Sequence, residues 1–413
     1  MDFSSRLPAT LRVNELTRRL VALRASGREI VDLTGSNPTS VGLFDDAAED
    51  AELARALDQS GIARYQPDPR GLLAARHAVS RIFPVETAPE RVFLTASTSE
   101  AYSLIFKLLC DPGDIVLVPR PSYPLFDHLT ALDAVRAVSY PLRYAGAWEI
   151  DLAALGQIAD EAVNLPSVTA GPGRVRALLV VNPNNPTGNA LDAGELGALV
   201  EFCAEREIAL IGDEVFFDYL WTPRGRDLRS VGSVEDCLAF SLGGLSKLGG
   251  LPQLKLGWIS VSGPNDLVAS ATARLEIIAD AYLSANMPVQ LAVAPLLDIA
   301  ARRRGSIAAR VEANRRVLSE VLMGAPAVSL LAADGGWSAV LRVPEVADDE
   351  EGLVVAILER EGVLVHPGYF FDFPHGAHLV VSLLLPPAIF RDGLTRVLAV
   401  VGDLAGGLLG SQV

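Results

Sequence analysis

A lysine flanked by glycines is the residue in this sequence whose setting most favours chemistry. Lys247 lies in the segment GGLSKLGG, residues 243–250. Glycines let the backbone approach a bound group closely, because they have no side chain to collide with it. A lysine amine held as an imine can alternate between nucleophile and base near neutral pH. Taken alone the segment is a weak signal, since most lysines beside loops are solvated.

Two polar segments follow buried apolar strings and are expected to lie near Lys247. They are NPNNPTG, residues 182–188, and, about thirty residues later, GDEV, residues 212–215. The carboxyl ends of strands in an open parallel sheet face one crevice, so the segments should converge there. Singly, Asn185 would be read as capping a turn and Asp213 as capping a helix. Together with the lysine they favour a reaction site.

The segment ASTSE, residues 96–100, offers donors for an anion where a predicted strand turns into a helix. Backbone N–H groups point outwards at a helix N-terminus, and the helix dipole favours negative charge. Thr98 and Ser99 are therefore predicted to hold a phosphate. Ser97 with Glu100 also fits an ordinary capping box. Both interpretations hold together only if Glu100 points away from the phosphate.

The elements that position these segments form an α/β pattern. From about Val92 to Val261, short β-branched strings alternate with longer helical patterns, which is typical of a mostly parallel sheet flanked by helices. The strings are apolar throughout, as expected of strands covered on both faces. The clearest are Ile115 to Val118, Ala177 to Val181, Ile208 to Ile211 and Leu238 to Ser241, with helices at Ser99 to Cys110 and Asp192 to Arg206.

A second pattern begins after about residue 290. An amphipathic stretch at 295–323 precedes short strands near 337–343, 363–365 and 379–384. We predict a smaller α+β domain, completed by an N-terminal helix around Val13 to Ser26. The predicted large domain covers residues 45–290, and the small domain covers residues 1–44 and 291–413. The Gly/Pro-rich stretch 166–173 is expected to be a surface loop.

Composition limits the partners and the compartment. Half of the 413 residues are apolar, which suits a large packed core, but no run of eighteen apolar residues could span a bilayer. The N-terminus lacks a secretory pattern, so a cytoplasmic protein is expected. A net charge of −15 argues against nucleic acid or an anionic membrane as partner. The three cysteines have no metal-ligand spacing and imply neither a metal nor a disulfide.

The order and spacing of NPTG, DEV and SK resemble the fold-type I enzymes that use pyridoxal phosphate (PLP), specifically the class I/II aminotransferases. The resemblance spreads over about two thirds of the chain. It implies that Lys247 carries PLP as a Schiff base and moves the proton between the substrate Cα and the cofactor. It also implies that Asp213 binds the protonated pyridine nitrogen, Asn185 donates to the phenolate oxygen, and Tyr123 stacks on the ring. A carboxylate beside the ring keeps it protonated, and a protonated ring stabilises a carbanion.

The same resemblance extends to the phosphate and to a second subunit. Ser246 and Lys255 resemble two further phosphate ligands of the family. Tyr65, in the segment YQPDPRG, resembles the tyrosine that reaches the phosphate from the other subunit. A homodimer is therefore implied.

Four positions depart from the family pattern, and one is Gly244, which stands where the family has a hydroxyl residue three positions before the lysine. Phe216 stands where the family has a tyrosine that donates to the phenolate oxygen, so we hypothesise that Asn185 alone remains there and that the imine proton is held more strongly. Lys255 replaces an arginine, and lysine serves a phosphate as a point charge rather than a bidentate fork. Val380 stands where the family places the arginine that clamps the substrate α-carboxylate.

An uncompensated carboxylate in an apolar pocket would cost several kcal/mol. Either another group binds it or the substrate lacks it. Arg120, His366 and Asn37 are the candidate substrate-binding residues, although a solvated arginine and a structural histidine are equally compatible with the sequence. The run 369–373 is predicted to be an apolar wall of the pocket beside Val380.

These observations predict a PLP-dependent aminotransferase acting on an amino donor and a keto acid. The alternative on the same fold is a PLP-dependent lyase that eliminates a β-substituent, or a cyclising enzyme. A catalytically silent PLP-binding module ranks last, because Lys247 and Asp213 are both retained.

Overall fold

The computed structural model describes residues 3–8, 11–44, 47–83, 85, 87–163, 173–221, 227–345 and 349–410. The strands are β1 Val31–Asp32, β2 Val92–Thr95, β3 Ile115–Arg120, β4 Arg136–Tyr144, β5 Trp148–Ile150, β6 Val175–Val181, β7 Ala209–Asp213, β8 Ala239–Gly244, β9 Gly257–Ser262, β10 Ser329–Leu330, β11 Ser338–Val343, β12 Val363–Leu364, β13 His366–Pro367 and β14 Ala377–Ser382. The helices are α1 Glu15–Ala25, α2 Ala47–Leu57, α3 Leu73–Ser80, α4 Thr98–Leu109, α5 Phe126–Leu132, α6 Leu152–Ala162, α7 Ala193–Glu205, α8 Leu245–Leu248, α9 Asn265–Asp280, α10 Met287–Leu291, α11 Val293–Leu322, α12 Glu350–Glu361 and α13 Pro387–Gly410.

Eight strands form one large sheet in the order β2-β9-β8-β7-β6-β3-β4-β5. Five neighbours, from β8 to β4, run parallel, whereas β9 is antiparallel to both of its partners and β5 is antiparallel to β4. The predicted mostly parallel sheet flanked by helices is confirmed. The loop expected at 166–173 falls outside the described residues except for Gly173.

The central strands are buried on both faces because consecutive apolar side chains point to opposite sides of the sheet. In β3, Ile115 and Leu117 pack into one core, while Val116 and Val118 pack into the core on the other face. The unbroken apolar strings of the sequence are therefore required by the two layers of helices.

The smaller sheets hold the C-terminal part of the chain together with its N-terminal segment. The order β10-β11-β14-β13 gives an antiparallel sheet, and β1 pairs in parallel with β12, so that Val31 faces Val363. The predicted N-terminal helix is α1, which Asn14 caps by accepting a hydrogen bond from the Thr17 amide at 2.8 Å. All strands of the large sheet fall within residues 45–290, but the exact division of the domains remains a prediction.

Helix α11 joins the two halves of the molecule. Its early residues, Leu296 and Ile299, pack into a core with α3 and α8, while Ile307 and Val311 pack into the core of the smaller sheets. Within the described ranges, no helix is long and apolar enough to cross a membrane, and no group of three or more His, Cys, Asp or Glu could hold a metal. All three cysteines are free.

Candidate active site

A cavity of about 440 Å³ lies between the carboxyl edge of the large sheet and the smaller sheets. Most of the predicted site residues line it: Lys247, Asp213, Asn185, Tyr123, Thr98, Ser99, Ser246, Lys255, Phe216, His366 and Val380. Its described lining does not include Asn37, Arg120 or Tyr65. The strand ends converge here as the α/β pattern predicts.

Lys247 lies on α8, a single turn that begins directly after β8. The hydroxyl of Tyr219 fixes that turn by donating to the carbonyl oxygens of Lys247 at 2.8 Å and Leu248 at 3.0 Å. The Lys247 Nζ lies 5.1 Å from the ring centre of Trp337 and 5.5 Å from that of Phe216. Burial lowers the pKa of Lys247, and the Asp213 charge opposes that shift. The amine is therefore more readily uncharged, and nucleophilic, than an ordinary lysine.

Asp213 ends β7 at the floor of the cavity and accepts two hydrogen bonds. Its Oδ2 accepts from the Tyr102 hydroxyl at 2.8 Å, and its Oδ1 accepts from the Val215 amide at 3.2 Å. Burial raises the pKa of Asp213, while these hydrogen bonds and the charge of Lys247 lower it. Sequence reasoning missed Tyr102. The available signal was its position one helical turn after Thr98, which had been assigned to the site.

Glu214, the next residue, anchors the strand ends behind the cavity. Its carboxylate accepts hydrogen bonds from Asn182 Nδ2 at 2.9 Å, the Val231 amide at 2.9 Å, and the hydroxyls of Ser230 and Ser241 at 2.6 Å each. Burial raises the pKa of Glu214, and the four donors oppose that shift. Because these donors come from separate segments, the network fixes the end of β7 that carries Asp213.

The loops carrying Tyr123 and Asn185 are joined by a buried amide. Asn184 accepts a hydrogen bond from the Ser122 hydroxyl at 2.6 Å and donates to the Pro121 carbonyl at 3.0 Å. The ring of Tyr123 meets Phe126 edge-on, with centres 6.0 Å apart. Asn184 thus holds the two loops together, and Asn185 lines the cavity.

The N-terminus of α4 forms one end of the cavity. Ser97 Oγ accepts from the Glu100 amide at 3.2 Å, whereas the Glu100 carboxylate accepts from the Ala96 amide and the Ser284 hydroxyl at 2.6 Å each. This is half of the expected capping box, since a full box would have Glu100 accept from the Ser97 amide. The Glu100 carboxylate is committed to Ala96 and Ser284, which leaves Thr98 and Ser99 on the cavity wall.

Gly257 on β9 lets the sheet pass close to this helix end. A Cβ atom there would stand 2.9 Å from the Ser97 carbonyl carbon and 3.1 Å from the Thr98 amide nitrogen. Ser246 and Lys255 line the same cavity. A helix N-terminus with a lysine and hydroxyls fits a phosphate, as Asp213 fits a protonated ring nitrogen and Lys247 fits an aldehyde carbon.

Apolar side chains line much of the remaining wall, and no arginine is among the described residues that line the cavity. Trp337, Phe370, Phe371 and Val380 form much of its wall. In the strand register His366 lies directly opposite Val380. Burial lowers the pKa of His366, with a smaller opposing effect from Asp32. The ring is therefore neutral at neutral pH.

Two of the proposed substrate residues are engaged elsewhere. Arg120 forms ion pairs with Asp127 at 2.7 Å and Asp372 at 3.4 Å. The Asn37 side-chain oxygen accepts from the amide and the hydroxyl of Thr39 at 3.0 and 2.9 Å. The pairing of Arg120 with Asp372 could not be read from the sequence, because the two residues are distant along the chain.

Tyr65 and Phe216 are the remaining residues that were predicted to lie beside the cofactor. Tyr65 is 81% exposed and lies outside the cavity of its own chain. Phe216 brings no hydroxyl, and Tyr219 does not replace it, because the Tyr219 hydroxyl is bonded to the backbone of α8. From the N-terminal segment, Thr34 and Ser36 rather than Asn37 reach the cavity wall.

A buried lysine and carboxylate beside a helix N-terminus, on a mostly parallel sheet with a smaller second domain, define a PLP-dependent enzyme of fold type I. Residues 29–383 match the family described as aminotransferase class I and II, and the chain belongs to that family. Its cofactor is PLP, and the protein is an aminotransferase acting on amino and keto acids, as the sequence predicted. The lyase alternative is not favoured.

Individual relatives agree with this assignment. The alanine aminotransferase of Mycobacterium tuberculosis is 29% identical over 371 residues, covering 86% of this chain and 82% of the relative. The glutamate–pyruvate aminotransferase of Escherichia coli is 26% identical over 375 residues, covering 88% of each. The solved structure of an alanine aminotransferase from Pyrococcus furiosus shares the fold, with a TM-score of 0.84 at 23% identity over 97% of this chain and 100% of that one.

Proposed function

We propose that this aminotransferase bonds its cofactor through Lys247 and then uses the freed amine to move a proton to and from the substrate Cα. This proposal rests on one observation: the Lys247 amine is buried in the same cavity as Asp213. Bound PLP supplies an electron sink for the negative charge that develops at Cα. A lysine whose pKa is lowered by burial can accept that proton near neutral pH.

The remaining roles follow the chemistry of each side chain. Asp213 holds a proton on the ring nitrogen, Asn185 donates to the ring oxygen, and Tyr123 covers the ring face. Thr98 and Ser99, at the start of α4, would supply backbone and hydroxyl donors to the phosphate. Two more phosphate ligands, Ser246 and Lys255, complete that end of the cavity.

Substitution of Lys247 by alanine tests the central role. The variant, reconstituted with PLP, should lose the lysine-dependent visible absorption band and nearly all amino transfer. Lys107→Ala is the matched control, because Lys107 pairs with Asp133 outside the cavity. A Lys247→Ala enzyme that keeps the band and the activity would overturn the assignment.

A second measurement separates amino transfer from elimination. The enzyme is mixed with an amino donor in the absence of a keto acid. Transfer stops after one equivalent of keto acid per site and bleaches the visible band. Elimination continues over many turnovers with the band intact, and that outcome would favour the lyase alternative.

For the substrate, we infer a donor with a small or apolar side chain, of which alanine is the first to test. Two features support this: Trp337, Phe370, Phe371 and Val380 give the cavity an apolar wall, and two similar enzymes are named alanine aminotransferases. The substrate carboxylate would meet His366 and the indole N–H of Trp337, which has no protein acceptor within the described residues. Comparison of alanine with aspartate measures the preference, and faster transfer from aspartate would contradict it.

We also propose a cytoplasmic homodimer in which Tyr65 reaches the phosphate of the partner subunit. The high exposure of Tyr65, outside the cavity of its own chain, supports this arrangement. Tyr65 then contributes nothing to the site unless a second chain is present.

A further inference from the structure

The partner of Asp213 is a tyrosine held inside the molecule. Tyr102 lies on α4 and is 2% exposed, and its hydroxyl donates to Asp213 Oδ2 at 2.8 Å. Its ring meets Phe126 edge-on, with centres 5.6 Å apart, and is tilted by 30° against Phe106, with centres 6.0 Å apart. Packing on these sides leaves the ring little freedom to turn, so the hydroxyl stays directed at the carboxylate.

We propose that Tyr102 is a positioning residue that keeps Asp213 ionised and thereby keeps the proton on the ring nitrogen of the cofactor. This inference rests on the proposed role of Asp213. A carboxylate buried at the floor of a cavity tends to take up a proton, because burial disfavours its charge. A hydrogen bond donated to the ionised form counteracts that tendency.

Tyr102 can act only as a donor in this position. Burial, followed by the Asp213 charge, raises the pKa of the Tyr102 hydroxyl well above its usual value. The phenol therefore keeps its proton at neutral pH and donates it to Asp213 Oδ2.

One helix serves both ends of the cofactor in this arrangement. Thr98 starts α4 at the phosphate end of the cavity, and Tyr102 follows one turn later beside Asp213. Four residues advance about 6 Å along a helix axis. A shift of α4 would therefore disturb the phosphate contacts and the Asp213 contact together.

Removing the Tyr102 hydroxyl has a defined chemical consequence. Asp213 would become more basic, and the ring nitrogen of bound PLP would be protonated to a smaller extent. An unprotonated ring is a weaker electron sink, so removal of the substrate Cα proton by Lys247 would be slower.

The test is Tyr102→Phe reconstituted with PLP that carries ¹⁵N at the ring nitrogen. The wild-type ¹⁵N shift should indicate a protonated nitrogen, and the variant shift should move towards that of unprotonated PLP. The Kd for PLP should rise about tenfold and the single-turnover rate with alanine should fall about tenfold, as for one hydrogen bond to a charged group. A folded Tyr102→Phe enzyme with an unchanged ¹⁵N shift would overturn the inference.

Tyr140→Phe is the matched control. Tyr140 is 1% exposed, donates to the Leu179 carbonyl at 2.8 Å, and packs in the core on the other face of the sheet. The two substitutions remove the same atom and a hydrogen bond of the same length. Both should lower stability, but only Tyr102→Phe should move the ¹⁵N shift.

Asp213→Asn separates this inference from the proposed function. If Asp213 holds the ring proton, this variant moves the ¹⁵N shift by itself, and Tyr102→Phe adds nothing in the Asp213→Asn background. An unmoved shift in Asp213→Asn contradicts the proposed role of Asp213. A further movement in the double variant means that Tyr102 acts by another route, and the inference is then wrong.

Discussion

Lys247 differs from the other lysines of the chain in the environment of its amine. Burial lowers its pKa, so a larger fraction is uncharged at pH 8 than for an ordinary lysine. We expect Lys247 of the cofactor-free protein to be acetylated several-fold faster than Lys107 by a limiting acylating reagent, as measured by peptide mass spectrometry. Because the Asp213 charge opposes the shift, Asp213→Asn should increase the difference. Equal labelling of the two lysines would contradict the prediction.

Val380 offers a test of how the substrate carboxylate is held. No arginine is among the described residues that line the cavity. The preference of the wild-type enzyme for alanine over ethylamine should therefore be weaker than that of an enzyme with a guanidinium at position 380. We expect Val380→Arg to raise the ratio of the two kcat/KM values about tenfold, the value of one charge-assisted contact.

Arg120→Ala is the control for that substitution. Its guanidinium is paired with Asp127 and Asp372 outside the cavity, so the ratio should not change. A fall in the ratio for Arg120→Ala would mean that Arg120 binds the carboxylate after all.

Single residues were predictable from the sequence where a strand end dictated their position. Asp213 and Asn185 follow buried strings, and the topology of a parallel sheet brings such positions together. Tyr102 and Trp337 were not identified, because the direction of a side chain on a helix or in the bend before a strand depends on the packing of the whole molecule. For the same reason Arg120 was assigned to the cavity, although its ion partners direct it elsewhere.

The junction of α4 with β9 is the element most sensitive to a small change. Gly257→Ala would place a methyl group against the backbone at Ser97 and Thr98, which cannot yield as a flexible side chain would. We expect the Kd for PLP, measured by fluorescence titration, to rise at least about tenfold. Gly197→Ala is the control, because Gly197 is an exposed position of α7 and a Cβ there would meet no atom within 4 Å. The control should leave the Kd unchanged and raise stability by about 0.5–1 kcal/mol.

Elements were predictable to the extent that periodicity encodes them. The apolar strings located the central strands, yet β8 was expected to end near Ser241 and continues to Gly244 because glycines give no hydrophobic signal. The antiparallel direction of β9 and β5 also escaped prediction. Strand direction depends on the path of the connections, which no single string contains.

The stability of the whole molecule should depend on pH through His378. Its ring stacks on Phe373 with centres 4.5 Å apart, and burial lowers its pKa to about 4. Below about pH 6.5 the unfolded chain binds a proton there that the folded chain does not, so stability falls as pH falls towards 4. His378→Gln should reduce the slope of unfolding free energy against pH, by up to ~1.4 kcal/mol per unit, in urea titrations between pH 6.5 and 4.5. Parallel slopes for the two proteins would contradict this assignment.

The exposure of Tyr65 leads to a prediction about the activity of mixed dimers. If Tyr65 reaches the phosphate of the partner subunit, each site combines Lys247 of one chain with Tyr65 of the other. A heterodimer of the two variants then has one site with both residues intact and one site with neither. Co-expression with two affinity tags, followed by purification on both, should give about half the wild-type activity, because a two-fold dimer has two equivalent sites.

The doubly substituted chain, Lys247→Ala with Tyr65→Ala, paired with a wild-type chain, is the complementary control. In this heterodimer each site lacks one of the two residues, so little activity should remain although the dimer carries the same number of substitutions. The opposite order of activities would place Tyr65 in the site of its own chain. Failure of any protein to be retained by both affinity columns would contradict the dimer itself. The site is then divided between chains only if the activity depends on how the substitutions are distributed, and not on how many there are.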